Sequence, residues 1–171
     1  LLQTHEWKSI SINIICDTLK LSKKKISRNI KSKRDLLKNI NQYFDDLILV
    51  KVKSVEKSTP KDMIFEIFML RFDLLTNYRV SVLKIFTIFK KNPNKFIILL
   101  PSFITSIEKI AKASNIKTAN IIGRMKIKVL LIIYFSTFLT WAKDNNPSLD
   151  KTMTTLDNYL QRAENIIKFF K

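Results

Sequence analysis

One glycine and four prolines in 171 residues constrain this chain more than any other feature. Tight β-hairpins draw on glycine for left-handed turns, and loops that cradle phosphate through backbone N–H groups need several. A chain so poor in punctuation has one practical way to bury a core, which is to run helix after helix. The apolar residues agree, recurring three and four apart through most of the length. With 46% hydrophobic residues the chain can build one or two domains with a real core. The expected class is all-α.

Residues 1–8 read as the end of a helix anchored by Trp7. Ser9 or Ser11 caps the next, in which Ile12, Ile15, Cys16 and Leu19 share a face. Lys20-Leu21 makes a turn, Ser22 caps a second short helix, and Ile26 and Ile30 point inward. Ser32 and Asp35 fit a capping box that opens a long helix to about Ser54, with Leu36, Leu37, Ile40, Tyr43, Phe44, Leu47, Ile48 and Val50 in its stripe. A polar linker over 53–61 separates this domain, residues 1–54, from a second over 61–171. Helical patterns there cover about 61–76, 78–91, 94–113, 118–143 and 149–170, and Pro93, Pro101 and Pro147 mark boundaries or a kink. The longest apolar run, Val129 to Trp141, falls short of the ~20 residues that span a bilayer, so no integral membrane segment is expected. A single cysteine suits a reducing compartment, and a cytoplasmic location is expected. No secretory signal pattern opens the chain; its first residue is Leu, so the natural start is expected upstream.

The net charge of +17 needs a discount, because abundant Ile, Lys, Asn and Phe are what AT-rich coding produces. Clustering survives the discount: nine of the nineteen residues 20–38 are Lys or Arg, and one is acidic. Three lysines directly after Ser22 oppose the helix dipole, each at a cost of a few tenths to ~1 kcal/mol. An anion docking at that end reverses the sign. Two short helices around a tight turn, the second basic, describe a helix-turn-helix. Its outward positions are Lys23, Lys24, Ser27, Arg28 and Lys31. Lysines there grip phosphate, while Ser27, Arg28 and Asn29 carry groups that read base edges, Arg28 suiting guanine. The same pattern also fits a solvated basic face on an ordinary helix pair.

Ser11-Ile12-x-x-Ile15-Cys16-x-x-Leu19-Lys20-Leu21-Ser22, followed by Ile26-Ser27-x-x-Ile30-x-Ser32-Lys33-x-x-Leu36-Leu37, resembles the N-terminal domain of TetR-family regulators. The resemblance implies a recognition helix over Ser22 to Ile30 and a phosphate contact from Lys33. The DNA-binding set it implies is Ser22, Lys23, Lys24, Lys25, Ser27, Arg28, Asn29, Lys31 and Lys33. Lys20 stands where that family has Gly, Ile30 where it has an aromatic residue, and Ser27 where Tyr is common. Farther on, Arg71-Phe72-Asp73-Leu74-Leu75-x-x-Tyr78-Arg79, and Trp141-x-x-Asp144-x-x-Pro147 with Leu156-Asp157-x-x-Leu160-x-x-Ala163-Glu164, look like bacterial TetR-like proteins. Those are similar in turn to the ubiquinone-biosynthesis accessory family, which keeps the fold and binds lipid and a partner hydroxylase.

His5 is the sole histidine and no acid–base or nucleophile constellation is visible, so no enzyme, metal site or cofactor is expected. Asp45 and Asp46 read as surface residues, and Asp73 and Arg79 as a structural pair. Phe72, Phe96, Leu100, Phe103, Leu130 and Tyr134 are candidates to line an apolar ligand cavity, the alternative being a filled core. Phe138, Leu156, Tyr159, Leu160, Ala163 and Ile167, with Ile166 and Phe170 extending the stripe, are candidates for a symmetric dimer interface. The expected architecture is thus a TetR-like one, an N-terminal three-helix helix-turn-helix domain plus a C-terminal helical bundle. The expected function is a homodimeric regulator of double-stranded DNA, a repressor, with an apolar small-molecule or lipid effector; the alternative is a TetR-fold lipid-binding accessory protein of ubiquinone biosynthesis.

Overall fold

The structure is a computed structural model that describes residues 1–167 except Gln3 and Lys57, and leaves aside the side chains of Lys25, Ile166 and Ile167. Eight helices, with no strand among the described residues, make the fold all-α. They are α1 (Ile12–Leu19), α2 (Lys23–Ser27), α3 (Lys33–Val52), α4 (Pro60–Thr76), α5 (Arg79–Lys91), α6 (Pro93–Ala113), α7 (Ile121–Trp141) and α8 (Asp150–Ile167).

Local chemistry sets most boundaries. Ser11 caps α1 by accepting the Ile14 N–H at 3.2 Å. Lys20 ends it in the left-handed region, φ 51°, and the N–H groups of Lys20 and Leu21 return to the carbonyls of Asp17 and Cys16. Thr59 caps α4 ahead of Pro60, whose missing N–H costs nothing in the first turn. Asn120 caps α7 through the Gly123 N–H at 2.7 Å. A Cβ on Gly123 would stand 2.5 Å from the Thr118 backbone, so glycine is required where the chain doubles back. Pro101 lies inside α6 and leaves the Ile97 carbonyl without its helical donor, on a side where Ile97 is exposed.

Two expectations at the N-terminus need correction. Residues 1–10, Gln3 aside, form turns instead of a helix end. The Lys33 ammonium takes the carbonyls of Trp7 and Lys8 at 2.7 and 2.9 Å and sits 5.5 Å over the Trp7 ring, replacing helical bonds at those carbonyls. The second short helix stops at Ser27, not Ile30; Asn29 and Ile30 close a turn onto the Ile26 carbonyl. Five residues sum too few peptide dipoles to make three flanking lysines costly.

The main core joins α3 to α8, built around Phe68, Phe72, Leu130, Trp141, Leu156 and Leu160. Within it lies a polar knot. Arg71 on α4 donates to Asp45 at 2.5 Å and Asn41 at 2.7 Å on α3, to Ser106 at 3.2 Å on α6, and to the Tyr134 hydroxyl at 3.0 Å on α7. Ser106 also donates to Asp45, and Lys109 stands 3.8 Å from the other Asp45 oxygen. Burial alone favours discharging Arg71, but Tyr134 and Asp45 raise its affinity for the proton above the ordinary guanidinium level. Asp45 is therefore buried, a correction to its reading as a surface residue; Asp46, its neighbour, is exposed. Tyr43 and Val50, expected in the apolar stripe of α3, are exposed in the fold. Asp73 and Arg79 do not pair either. Arg79 lies 4.8 Å over the Trp141 ring and donates to the Ala142 carbonyl, while Asp73 is exposed.

At the α7–α8 turn, Asp144 accepts the Thr152 N–H and hydroxyl at 2.9 and 2.8 Å and so caps α8 from outside the helix. Burial alone raises its carboxyl, yet those two bonds and the Asn146 N–H bring it below the usual carboxylate range. No helix among the described residues is long and apolar enough to cross a membrane.

Candidate nucleic-acid interface and the adjoining cavity

The α1–α2 pair concentrates positive charge because no acidic residue stands between Asp17 and Asp35. Ser22, Lys23, Lys24, Ser27, Arg28, Asn29 and Lys31 are all exposed, on α2 or at its ends. The Lys25 side chain lies outside the described residues. The ion pairs among the described residues are Lys61–Glu164, Arg71–Asp45 and Lys109–Asp45, so none neutralises this face. Arg28 and Asn29 sit on the turn after α2, not on the helix, while Ser27 donates to the Lys24 carbonyl at 3.3 Å. The face has the charge and reach to bind a polyanion.

Lys33 is placed differently from the rest. Its ammonium is spent on the Trp7 and Lys8 carbonyls, and it is half-buried. The N-terminus of α3 is also occupied by its own carboxylate. Asp35 accepts from the Ser32 hydroxyl at 2.9 Å and the Lys31 N–H at 3.2 Å, and the Ser32 bond leads in holding its carboxyl below the ordinary value. What α3 offers a partner is position: it starts beside the basic pair and ends in the core.

Between α3, α4, α5, α6 and α7 lies a cavity of about 390 Å³. Of the candidate residues, Phe96, Phe103 and Tyr134 line it; Phe72 and Leu130 are filled core, and Leu100 lies off its wall. Sequence reasoning missed the contributions of α3 (Leu37, Ile40, Asn41, Phe44) and α5 (Val82, Ile85, Phe86, Phe89, Lys90). Aromatic edges frame the space, with Phe96 5.0 Å from Phe135, Phe103 5.1 Å from Phe135 and Phe86 5.1 Å from Phe138. Arg71 and Asn41 reach its wall with their polar atoms engaged in the buried knot.

The candidate dimer residues separate. Leu156, Leu160 and Ala163 are buried inside the protomer and are unavailable to a second copy. Phe138 lines the cavity, Tyr159 is half-buried against the core, and the Ile166, Ile167 and Phe170 side chains lie outside the described residues. An exposed apolar stripe runs along α7 through Ile121, Ile122, Met125 and Ile132, and Leu139, which also lines the cavity, is half exposed beyond it. Its sequence signal is a helix without a single acidic residue whose apolar residues favour no one face.

No group of three or more His, Cys, Asp or Glu side chains that could hold a metal occurs among the described residues. No protein-family model matches the chain, and no curated protein sequence matches it significantly.

Proposed function

We propose that the chain is a DNA-binding transcriptional regulator of TetR type, a repressor that works as a homodimer. The observation that carries this reading is the exposed cationic face of Lys23, Lys24, Arg28 and Lys31, with no carboxylate paired to it among the described residues. The lysines grip phosphates, and Arg28 enters the major groove as the principal base reader. Two protomers associate through the outer stripe of α7, setting the two basic pairs about one DNA turn apart (~34 Å).

The cavity supplies the regulation. Helix α3 lines it with Leu37, Ile40, Asn41 and Phe44 and begins beside the basic pair. At 1.5 Å per residue α3 is about 30 Å long, so a tilt of about 5° moves its far end by roughly 3 Å. An apolar effector that favours one tilt thereby selects a protomer spacing that no longer fits the operator.

Fluorescence anisotropy with duplex DNA across 50–300 mM salt tests the reading. Four cations per protomer, eight per dimer, give a log–log salt slope near −7 at about 0.9 per phosphate. Lys24→Glu with Arg28→Glu should weaken binding at least a hundredfold at about 100 mM salt. A slope shallower than about −2, or a loss below about tenfold, refutes it. The apolar walls of the cavity favour a second reading, a lipid-binding accessory protein with the same fold; lipid retained on native purification with no salt-dependent DNA binding selects it.

A further inference from the structure

The cavity has a chemical polarity along its depth that names a ligand class, and the inference rests on reading it as a ligand site. Deep inside, the polar atoms of Asn41 and Arg71 are already bound to Asp45, Ser102, Ser106 and Tyr134. A ligand end that brings charge or hydrogen-bonding groups to the bottom finds no partner there and loses its water. The remaining wall is aliphatic and aromatic. Polarity returns at the mouth. Lys90, exposed near the end of α5, is part of the lining and stands 5.3 Å over the Phe86 ring. Lys91 follows it, and Lys95 lies in the first turn of α6. No acidic residue occurs from 74 through 107, so the corner between α5 and α6 is cationic with nothing in its own sequence to balance it.

Size closes the argument. At about 390 Å³ the cavity falls in the range of pockets that hold a single small or medium ligand. That suits one chain of medium length. We propose that the cavity binds a single-chain amphiphile of about eight to twelve carbons, its apolar body inside and its anionic head held by Lys90 at the mouth. Carboxylate and phosphate heads share this chemistry.

Titration calorimetry on the full chain decides, using decanoate, decyl phosphate, decanol and decylammonium. Both anions should bind, with decylammonium at least about tenfold weaker and hexadecanoate, too long for the volume, weaker by a similar factor. The tighter of the two anions assigns the head group. Lys90→Glu should weaken decanoate about five- to tenfold and decanol less than about twofold. Ile85→Trp, which fills the cavity, should abolish both, with far-ultraviolet circular dichroism confirming the fold. The proposal is overturned if decylammonium matches decanoate, if neither anion binds below about 1 mM, or if Ile85→Trp leaves decanoate binding intact. DNA binding is measured separately without amphiphile. Loss of DNA binding with decanoate binding retained overturns the regulator reading and spares this one, and the opposite result does the reverse.

Discussion

Asp45→Ala removes the carboxylate that neutralises a guanidinium deep in the core. In the native chain the two side chains are 4% and 3% exposed, and the contact is 2.5 Å. Without Asp45, Arg71 keeps Asn41, Tyr134 and Ser106 as hydrogen-bond partners but has no counter-charge. Breaking a buried pair from one side costs about 3–5 kcal/mol, because the remaining charge is neither hydrated nor paired. Lys109, one-third exposed and 3.8 Å from Asp45, turns to solvent and adds less than about 1 kcal/mol. For a chain of this size each kcal/mol lowers Tm by roughly 2–4 °C, so the variant should melt about 6–20 °C lower. Thermal and urea unfolding followed by circular dichroism at 222 nm reads this directly. The decisive partner is the double variant Asp45→Ala with Arg71→Met. Removing both charges should recover most of the loss, to within about 2 kcal/mol of native. A single-variant cost under about 1 kcal/mol, or a double variant as unstable as the sum of the singles, refutes the account of the knot.

Two further outcomes follow from helix ends. Lys20→Gly relieves a left-handed residue and should raise stability by about 0.5–1 kcal/mol, read as a higher urea midpoint; an unchanged or lower midpoint contradicts the strain. Asp35 and Asp144 both have lowered carboxyl pKa values in the fold, so their contribution is present above the unfolded value near ~4 and is lost as pH falls through the folded values. Asp144→Asn should accordingly flatten the acid limb of the stability profile below about pH 4, and an unaltered limb argues against the cap.

Local rules carried most of the sequence reading. Ser11, and Ser32 with Asp35, mark their helix starts because a capping hydroxyl bonds within three residues of itself. Asp45 escaped because its burial is decided by a partner 26 positions away. The legible signal sat on the other side: Arg71 falls in register with Ile64, Ile67, Phe68 and Leu75 on the buried face of α4, away from the exposed Glu66 and Asp73, and a guanidinium there needs a buried carboxylate. On α8 the periodicity located a face correctly and left open what it meets, and Leu156 and Leu160 meet their own protomer. On α7 no face could be chosen, since its apolar residues favour no one side; which side stays outside is settled only by packing. Lys33 was misplaced for a related reason. Its charge is visible in sequence, whereas the two carbonyls that hold it come from a segment some 25 residues earlier.

The main core contains no residue before Ile40 among those described, and the first thirty residues bury only Trp7, Ile10 and Cys16 as apolar side chains. Two tiers of opening follow from that division. Amides of α1 and α2 should exchange with solvent deuterium through a sub-global opening that leaves α4, α6 and α7 protected, since little apolar surface is exposed when the basic pair separates. The Lys33 clamp on Trp7 and Lys8 is among the contacts that tie the N-terminal segment to α3. A polyanion that engages only the closed pair then acts as its missing core, slowing exchange at Ile15 and Cys16 by the factor one plus its concentration over its dissociation constant.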